Sequence, residues 1–260
     1  MQDGALIPLF GRARRDPTLA VLEGFHPLKH ALRFGARPRL VLTRDLIELE
    51  RLFDLLAPDL SASLPGLARE VAPSLFDQLA PLTPSTGVIA LAERPAVELA
   101  AVLNGVRAAP IVLLEDPRDL GNLGACVRVA AAADAAGVLS TGSHDPWHPD
   151  ALRGAAGLHF ALPVARLEGI DALASCERPL LALDPDGQPL VPAAIDPRAV
   201  LAFGTERQGL SDKLLERADA RVSIPMRAGV SSLNLATSVA AVLFTWRLAT
   251  DAAAPTAPPR

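Results

Sequence analysis

The sequence has little cysteine and no long apolar run. Its 260 residues include two cysteines, Cys126 and Cys176. Their wide separation provides neither a disulfide framework nor a pair of metal ligands. No stretch approaches the ~20 uninterrupted apolar residues of a membrane-spanning helix, and the first residues lack the charged-then-apolar order of a signal peptide. We therefore expect a soluble cytoplasmic protein with no membrane partner.

An excess of positive charge is also lacking. The formal net charge is −4 at pH 7, which argues against a protein that coats nucleic acid indiscriminately, because such binding depends on neutralising phosphates. Residues 1–40 differ from the rest, since their basic residues outnumber the acidic ones by four. The basic residues there are Arg12, Arg14, Arg15, Lys29, Arg33, Arg37 and Arg39. This surplus fits either an RNA-binding patch or the solvated surface of an arginine-rich chain.

Several common catalytic motifs are missing from the sequence. It has no G-x-x-x-x-G-K-[ST] phosphate loop, no G-x-S-x-G nucleophile elbow and no H-E-x-x-H zinc pair. His144 and His148 are four residues apart beside Asp145, but Pro146 and Pro149 disfavour the helix that would bring both histidines to one metal. We expect this segment to be a polar loop and the protein to need no metal.

The pattern of the chain suggests two domains. Half of the residues are hydrophobic, so a sizeable core can be buried. Residues 1–94 predict a small α/β domain, 95–109 a linker, 110–250 a second domain, and the Pro/Ala-rich residues 251–260 a disordered tail. In the first domain we expect, in order, a helix from Asp16 to Leu32, a strand Arg39–Leu42, helices Asp45–Leu56 and Ser74–Leu79, and a strand Thr86–Ala92.

From residue 110 onward, short apolar strands alternate with helices. The expected strands are Ile111–Leu114, Gly137–Ser140, Leu180–Leu183, Val200–Phe203 and Arg221–Ile224. The expected helices are Gly121–Ala136, Ser211–Arg217 and Leu233–Ala249, and a short element is expected at Leu152–Gly154. This alternation predicts an α/β fold with a mostly parallel sheet that is covered on both faces.

The stretch Arg221–Trp246 joins a strand, a Pro/Gly-containing loop and a small-residue helix. Pro225 removes a backbone donor, and Gly229 permits a tight reversal. Ser232 and Asn234 are residue types that cap helices, and the exposed N–H groups of a helix start suit a polar or anionic ligand. The loop could therefore hold a cofactor, or it could simply begin a capped core helix.

Two earlier blocks have the same strand–loop–helix form. In LLEDPRDLGNLGACVRVA, Asn122 lies in the turn and Arg128 follows six residues later. In LAFGTERQGLS, the strand ends at Gly204, so that backbone must lie close to whatever binds. Ligands of α/β sheets collect at such strand ends. Ordinary turns and a surface arginine would give the same pattern.

The three blocks, in this order, resemble the motifs of the SpoU/TrmH RNA ribose methyltransferases of the SPOUT class. The match consists of the Asn122…Arg128 spacing, the Gly204-x-Glu206-x-x-Gly209 pattern, and IPM followed by a glycine-containing loop and SLN. EGFHPLKHAL and TGVIAL resemble the L30e-like, RNA-binding N-terminal domain of many such enzymes. The resemblance implies a trefoil knot near the C-terminus, a rare exception to the rule that chains do not knot.

The same resemblance implies an activity and a set of site residues. It implies a homodimer that transfers a methyl group from S-adenosylmethionine to a ribose 2′-hydroxyl of structured RNA. Arg128 would help to deprotonate or orient that hydroxyl. The catalytic set it implies is Arg128, Asn122, Glu206, Ser232 and Asn234. The cofactor-binding set is Gly204, Ile224, Leu233, Phe203, Met226 and Gly209.

Other functions remain open at this point. Ribosomal RNA is favoured over transfer RNA as the substrate, because an accessory N-terminal domain is typical of the branch that acts on ribosomal RNA. A catalytically silent RNA-binding relative would keep the fold, although the intact set of polar site residues argues against it. A dinucleotide-binding oxidoreductase is disfavoured because the G-x-G-x-x-G fingerprint is absent.

Overall fold

The computed structural model describes residues 3–63, 66–192, 195–205 and 208–253. These residues form two compact units. The first unit combines residues 3–96 with the segment 147–161, and the second combines residues 97–146 with residues from 162 onward. The chain therefore leaves the second unit after Pro146 and returns to it at Leu162.

The described helices and strands are as follows. The helices are α1 (Leu6–Ala13), α2 (Phe25–Arg33), α3 (Leu46–Leu56), α4 (Pro73–Phe76), α5 (Leu99–Asn104), α6 (Leu120–Ala132), α7 (Pro149–Gly154), α8 (Asp212–Arg217) and α9 (Leu235–Ala253). The strands are β1 (Leu19–Glu23), β2 (Pro38–Thr43), β3 (Ala68–Glu70), β4 (Val88–Glu93), β5 (Ile111–Leu114), β6 (Gly137–Ser140), β7 (Val164–Arg166), β8 (Leu180–Pro189), β9 (Val200–Phe203) and β10 (Ala220–Ser223).

The first unit is built on a four-stranded sheet with the order β1-β4-β2-β3. Strand β4 is antiparallel to both of its neighbours, whereas β2 and β3 are parallel. Helix α1 turns Leu6, Phe10 and Ala13 into the core, because these residues recur at helical spacing. The buried cluster that they join also contains Val21, Leu42, Val71, Phe76, Leu79, Ala80, Ile89 and Leu91.

The expectation of one helix from Asp16 to Leu32 is wrong over its first part. Residues Leu19–Glu23 form β1, which pairs antiparallel with β4. Four consecutive residues of β1 are buried, so the strand lacks the apolar–polar alternation that would have marked it. Gly24, at φ 114°, separates the strand from α2, a conformation that favours glycine. Only α2 confirms the helical part of the prediction.

The other expected elements of the first unit differ mainly at their ends. Helix α3 is confirmed, and the Asp45 side chain caps it by accepting a bond from the Glu48 N–H at 2.9 Å. The helix expected at Ser74–Leu79 is the single turn α4, which begins at Pro73. Helix α1 and strand β3 were not foreseen. Strand β3 has three residues, too few to show a hydrophobic period.

The second unit contains a six-stranded sheet with the order β10-β8-β9-β5-β6-β7. All of its neighbouring strands are parallel, which confirms the expected mostly parallel sheet. Strands β5, β6 and β9 are buried at every position, as expected for strands covered on both faces. The edge strand β7 was missed, whereas α6, α8 and α9 lie close to the predicted helices.

The C-terminal helix α9 packs against α6. It extends to Ala253, so the first residues of the predicted tail continue the helix, and residues 254–260 lie outside the described part. Across the residues that the structure describes, no helix combines the length and the apolar character that crossing a bilayer requires.

Candidate functional site

A pocket of about 460 Å³ lies in the second unit, where β9 and β10 end. Its volume is within the range of about 300–1,000 Å³ that is usual for small-molecule sites. This edge of a parallel sheet is where loops and helix starts converge on ligands. The described lining residues are Leu183, Asp184, Pro185, Phe203, Gly204, Thr205, Gln208, Gly209, Leu210, Leu215, Val222, Ile224, Met226, Ser231, Ser232, Leu233, Leu235 and Ser238.

The loop after β9 is a tight turn that presents backbone to the pocket. Thr205 and Gly209 exchange two backbone hydrogen bonds, at 3.1 and 3.0 Å. A Cβ at Gly204 would lie 2.0 Å from the carbonyl carbon of Gly209, so no other residue fits there without moving the loop. Gly209 itself has φ 66°. The predicted site residue Glu206 lies outside the described residues.

The loop after β10 turns at Gly229 and ends at the start of α9. Gly229 has φ 86°, and the N–H of Val230 donates to the Arg227 carbonyl at 3.0 Å, so the predicted reversal is confirmed. Asn234 Oδ1 then accepts the N–H groups of Ala236 and Thr237, at 2.9 and 3.3 Å. The Asn234 side chain is therefore the cap of α9.

The Asn234 side chain also joins two distant parts of the sequence. Its Nδ2 donates to Asn122 Oδ1 at 2.9 Å, across a separation of 112 residues. The backbone of Asn122 is fixed in turn, because its N–H donates to the Asp119 side chain at 2.6 Å, which caps α6. The starts of α6 and α9 thus meet through a pair of carboxamides beside the pocket loop that contains Leu233.

Arg128 lies apart from these groups. It is exposed on α6 and does not line the pocket. It makes no hydrogen bond or ion pair with another residue that the structure describes. Six residues of helix place it about 9 Å beyond Asn122 along the axis. The structure therefore gathers all six predicted cofactor residues and Ser232 at one pocket, places Asn122 and Asn234 together, and leaves Arg128 outside this group.

Two acidic residues at this edge of the sheet were missed by the sequence reasoning. Glu115 accepts both the N–H and the hydroxyl of Ser211, at 2.7 and 2.6 Å, and so fixes the start of α8. Asp184 is the one charged side chain among the described lining residues. A possible signal for Asp184 was the run Asp-Pro-Asp-Gly directly after an apolar strand, since such runs mark turns at strand ends.

The described residues contain no group of three or more His, Cys, Asp or Glu side chains that could hold a metal ion. His148 has a local role in the segment that was considered for metal binding. Its Nδ1 accepts the N–H of Asp150 at 3.2 Å and caps α7.

Comparison with known protein families gives one match, which covers more than half of the chain. The model described as SpoU rRNA Methylase family matches residues 109–244. This range contains the pocket, the pair of asparagines and Arg128.

Two relatives with a specified site on 23S rRNA come from Streptomyces. The 23S rRNA (uridine(2479)-2′-O)-methyltransferase of Streptomyces viridochromogenes is 29% identical over 243 residues, which are 88% of this chain and 79% of that protein. The 23S rRNA (adenosine(1067)-2′-O)-methyltransferase of Streptomyces azureus is 34% identical over 144 residues, which are 53% of this chain and 54% of that protein. The match to the second relative therefore spans only about half of each chain.

Solved structures match over nearly the whole chain. The SpoU methyltransferase AviRb from Streptomyces viridochromogenes, in complex with AdoMet, aligns with a TM-score of 0.76 at 25% identity, over 96% of this chain and 97% of that one. A structure described as an RNA 2′-O ribose methyltransferase aligns with a TM-score of 0.74 at 28% identity, over 96% of each chain.

Proposed function

The chain belongs to the SpoU rRNA methylase family, and from that premise we propose that it transfers a methyl group from S-adenosylmethionine to a ribose 2′-hydroxyl of 23S ribosomal RNA. One observation carries the proposal. All six residues that the sequence motifs nominate for the cofactor line a single pocket, although they come from two separate segments of the chain, 203–209 and 224–233. The Streptomyces relatives described above are named as 2′-O-methyltransferases of 23S rRNA.

The residues of the pocket fit this cofactor. Gly204 and Gly209 bring backbone to the wall, where N–H and C=O groups can bind a purine nucleoside, and Phe203, Ile224 and Leu233 offer apolar surface. The described lining contains one acid and no base, so it does not repel a ligand with a sulfonium cation. When bound, the cofactor supplies an electrophilic methyl group.

The polar residues beside the pocket would orient the target ribose and assist the loss of its 2′-hydroxyl proton. We propose that the Asn122–Asn234 pair and Ser232 orient the target ribose, because hydrogen-bonded carboxamides at two helix starts form a rigid support. Arg128 would favour the alkoxide that develops as the 2′-hydroxyl loses its proton. Glu206, which lies outside the described residues, completes the proposed set. None of these steps requires a metal.

The position of Arg128 leads to a proposed homodimer. A single chain leaves this arginine exposed and outside the pocket, so a second copy would have to bring it to the reacting group. The exposed apolar side chains of α9, Phe244 (39% exposed) and Leu248 (67% exposed), provide surface for such an interface. We propose that each active site combines the pocket of one chain with the arginine of the other.

Mixed dimers would test this shared site. Arg128→Ala chains would be combined with Gly204→Val chains, whose pocket loop is blocked. Each parent homodimer is expected to be inactive, and each heterodimer should regain one working site. Purified heterodimers that remain inactive, while wild-type subunits mixed in the same way stay active, would rule out the shared site.

We also propose that the first unit is an L30e-like domain that binds RNA. Arg12, Arg15 and Arg37 are exposed and make no ion pair with a residue that the structure describes, so they can meet phosphates. Their joint replacement by glutamine should weaken binding to rRNA and flatten its salt dependence. Deleting residues 1–94 is a poorer test, because the segment 147–161 packs with the first unit. Equal affinity and equal salt dependence for the triple variant would contradict this role.

Three further features belong to the same proposal. A trefoil knot near the C-terminus is supported by the strand order, in which β10 and β8 lie on the far side of β9, and by the packing of α9 on α6. We propose the domain limits 1–94, 95–109, 110–250 and 251–260, with the segment 147–161 packed in the first unit and α9 continuing to Ala253. A cytoplasmic location follows from ribosomal RNA as the substrate.

The function is tested by following the methyl group. The protein would be incubated with methyl-labelled S-adenosylmethionine and an unmethylated 23S rRNA transcript, and the RNA would then be digested to nucleosides. We expect the label in one 2′-O-methylnucleoside and none with the Gly204→Val variant. Label in a base, or transfer to transfer RNA with 23S rRNA untouched, would contradict the proposal.

A further inference from the structure

Strand β8 stops pairing with its neighbours β9 and β10 partway along its length. Arg221 of β10 pairs with Ala182, but the next residue, Val222, pairs with Gln188. Ala182 is also the last residue of β8 that pairs with β9. Residues 183–187 therefore form an excursion, with no partner opposite them in either neighbouring strand. This excursion brings Leu183, Asp184 and Pro185 to the wall of the cofactor pocket.

The excursion is fixed where it returns to the sheet. A Cβ at Gly187 would lie 2.6 Å from the backbone of Arg221, so the two chains touch at a place that only glycine allows. The Ser223 hydroxyl donates to the Gly187 carbonyl at 3.0 Å, and the Leu190 N–H donates to the Ser223 carbonyl at 2.8 Å. These contacts hold the segment in one position relative to β10.

Only one oxygen of the Asp184 carboxylate accepts a hydrogen bond from the residues that the structure describes. Its Oδ1 accepts the N–H of Asp186 at 3.0 Å. Its Oδ2 forms an ion pair with Arg221 Nη1 at 3.6 Å, a distance too long for a hydrogen bond, and it accepts no hydrogen bond from any residue that the structure describes. The side chain is only 13% exposed. A carboxylate that has lost most of its water normally recovers hydrogen bonds from the protein or from a ligand.

We propose that Asp184 Oδ2 accepts a hydrogen bond from the adenosine half of S-adenosylmethionine, so that Asp184 determines the affinity for the cofactor. This inference rests on the proposed function, because it takes the identity of the cofactor from it. Asp184 would be a binding residue that the sequence motifs do not contain.

The position of β8 in the sheet indicates that Asp184 contacts the adenosine half of the cofactor. β8 is two strands away from β5, in the order β8-β9-β5, which is roughly 10 Å at the usual strand spacing. Asn122, which we place at the methyl acceptor, follows β5 on α6. Asp184 therefore meets a part of the cofactor that is remote from the methyl group. The methionine arm carries a carboxylate that Asp184 would repel beside an ammonium that it would attract, so the position of β8 in the sheet decides for adenosine, whose hydroxyl and amino groups are donors.

Calorimetric binding with two matched variants would test the inference. Asp184→Asn keeps the shape and can still accept the Asp186 N–H, but it removes the anionic acceptor. Asp186→Asn removes the same charge two residues away, on an exposed side chain that does not line the pocket. Each protein would be titrated with S-adenosylmethionine, S-adenosylhomocysteine and 5′-methylthioadenosine, which lacks the amino-acid part. Thermal unfolding without ligand would show that the variants are equally folded.

The expected result is a similar loss of binding affinity for all three ligands. Asp184→Asn should raise Kd by about tenfold, a typical effect for a hydrogen bond to a charged group, and Asp186→Asn should change Kd by less than about twofold. Unchanged affinities in Asp184→Asn would overturn the inference. A loss for S-adenosylmethionine alone would mean that the carboxylate senses the sulfonium charge, and normal binding of 5′-methylthioadenosine would place it at the methionine arm. Either result also overturns it.

Ligand analogues give a second test on the unaltered protein. Methylthioadenosine analogues that lack the 2′-hydroxyl, the 3′-hydroxyl or the adenine N–H donors would be titrated into wild type and into Asp184→Asn. One analogue should bind wild type about tenfold more weakly and bind the variant no worse than the parent ligand does. If every analogue loses affinity by the same factor in both proteins, Asp184 accepts a hydrogen bond from none of these donors. Failure of the wild type to bind S-adenosylmethionine would contradict the proposed function itself.

Discussion

The two units of the protein bury opposite charges and compensate them in different ways. In the first unit, Glu23 has a side chain that is 2% exposed and pairs with Arg14 and Arg153, at 2.7 and 2.6 Å. In the second unit, Arg178 is 4% exposed and has no carboxylate partner among the described residues. Its guanidinium instead donates to five backbone carbonyls, those of Leu103, Gly105, Arg107, Ala109 and Arg198, at 2.9–3.2 Å.

This difference shows how each unit holds an added segment. The ion pair with Arg153 anchors the segment 147–161, which belongs to the first unit although the chain on both sides of it belongs to the second. The carbonyls that Arg178 binds belong mostly to residues 103–109, which we had expected to form a linker. Burial lowers the pKa of Arg178, because desolvation disfavours a cation without a counter-charge. Arg178 therefore holds residues 103–109 through hydrogen bonds rather than through an ion pair.

The largest effect on stability is expected from Arg178→Met. The substitution removes the Arg178 donors from five carbonyls that are buried or partly buried, and we expect a loss of about 3 kcal/mol or more in unfolding free energy. The two tryptophans allow each unit to be followed separately, since Trp147 lies in the first unit and Trp246 in the second. In a Trp147→Phe background, a denaturation curve followed by the signal of Trp246 would measure the loss of unfolding free energy in the second unit.

The matched control is Arg107→Met, because the Arg107 side chain is exposed and binds the exposed Asp134. This control should change stability by less than about 1 kcal/mol. If Arg178→Met shifted the transition of Trp147 as much as that of Trp246, the two units would not be stabilised separately.

A smaller loss is expected from Glu23→Gln, about 2 kcal/mol. The change removes the charge that two arginines share, but Arg153 is 41% exposed and can be solvated, so the loss should fall below the usual cost of breaking a buried pair. Hydrogen exchange should then speed up in residues 147–161. Glu93→Gln is the control, because Glu93 is 63% exposed in its pair with Arg39. Unchanged exchange in that segment would show that Glu23 does not anchor it.

The sequence predicted the second unit better than the first for a physical reason. Its strands are short apolar runs separated by glycine-rich turns, so Ile111–Leu114 and Val200–Phe203 were found with their observed ends. In β1, by contrast, burial on both faces removed the alternation, and Leu19 and Leu22 happened to continue the helical spacing of α2. Local patterns cannot reveal such a strand, because its partner β4 lies about 70 residues later.

Prediction of the candidate functional site from sequence meets the same limit. Motifs located the loops that contain Gly204 and Leu233, because close backbone approach demands particular residues. No motif could indicate that Arg153 pairs with Glu23, or that five residues of β8 leave the ladder to bring Asp184 to the pocket. These contacts depend on tertiary pairing rather than on local sequence.

The smallest expected effect is a pH dependence of the first unit. Burial lowers the pKa of His30, a shift that its hydrogen bond to the Ala156 carbonyl partly opposes and that nearby positive charges reinforce. The unfolded chain, with an ordinary pKa of about 6.5, then binds more protons than the folded one. The stabilisation is therefore present above pH 6.5 and declines as the pH falls through that value towards the lower folded pKa.

Denaturation of Trp147 at pH 7.5 and pH 5.5, in a Trp246→Phe background, would measure this decline. His30→Gln should reduce the difference between the two pH values. An equal pH dependence in wild type and variant would exclude His30 as its source.

In the proposed mechanism the pocket holds the cofactor, while Arg128, outside the pocket, stabilises the developing alkoxide. Single-turnover methyl transfer to 23S rRNA by Arg128→Ala, at saturating S-adenosylmethionine whose Kd is measured on the same protein, tests it most directly. We expect a Kd within about twofold of wild type and a transfer rate lower by roughly 100-fold to 1,000-fold, the usual effect of removing a group that stabilises developing charge. A transfer rate near that of wild type would contradict it.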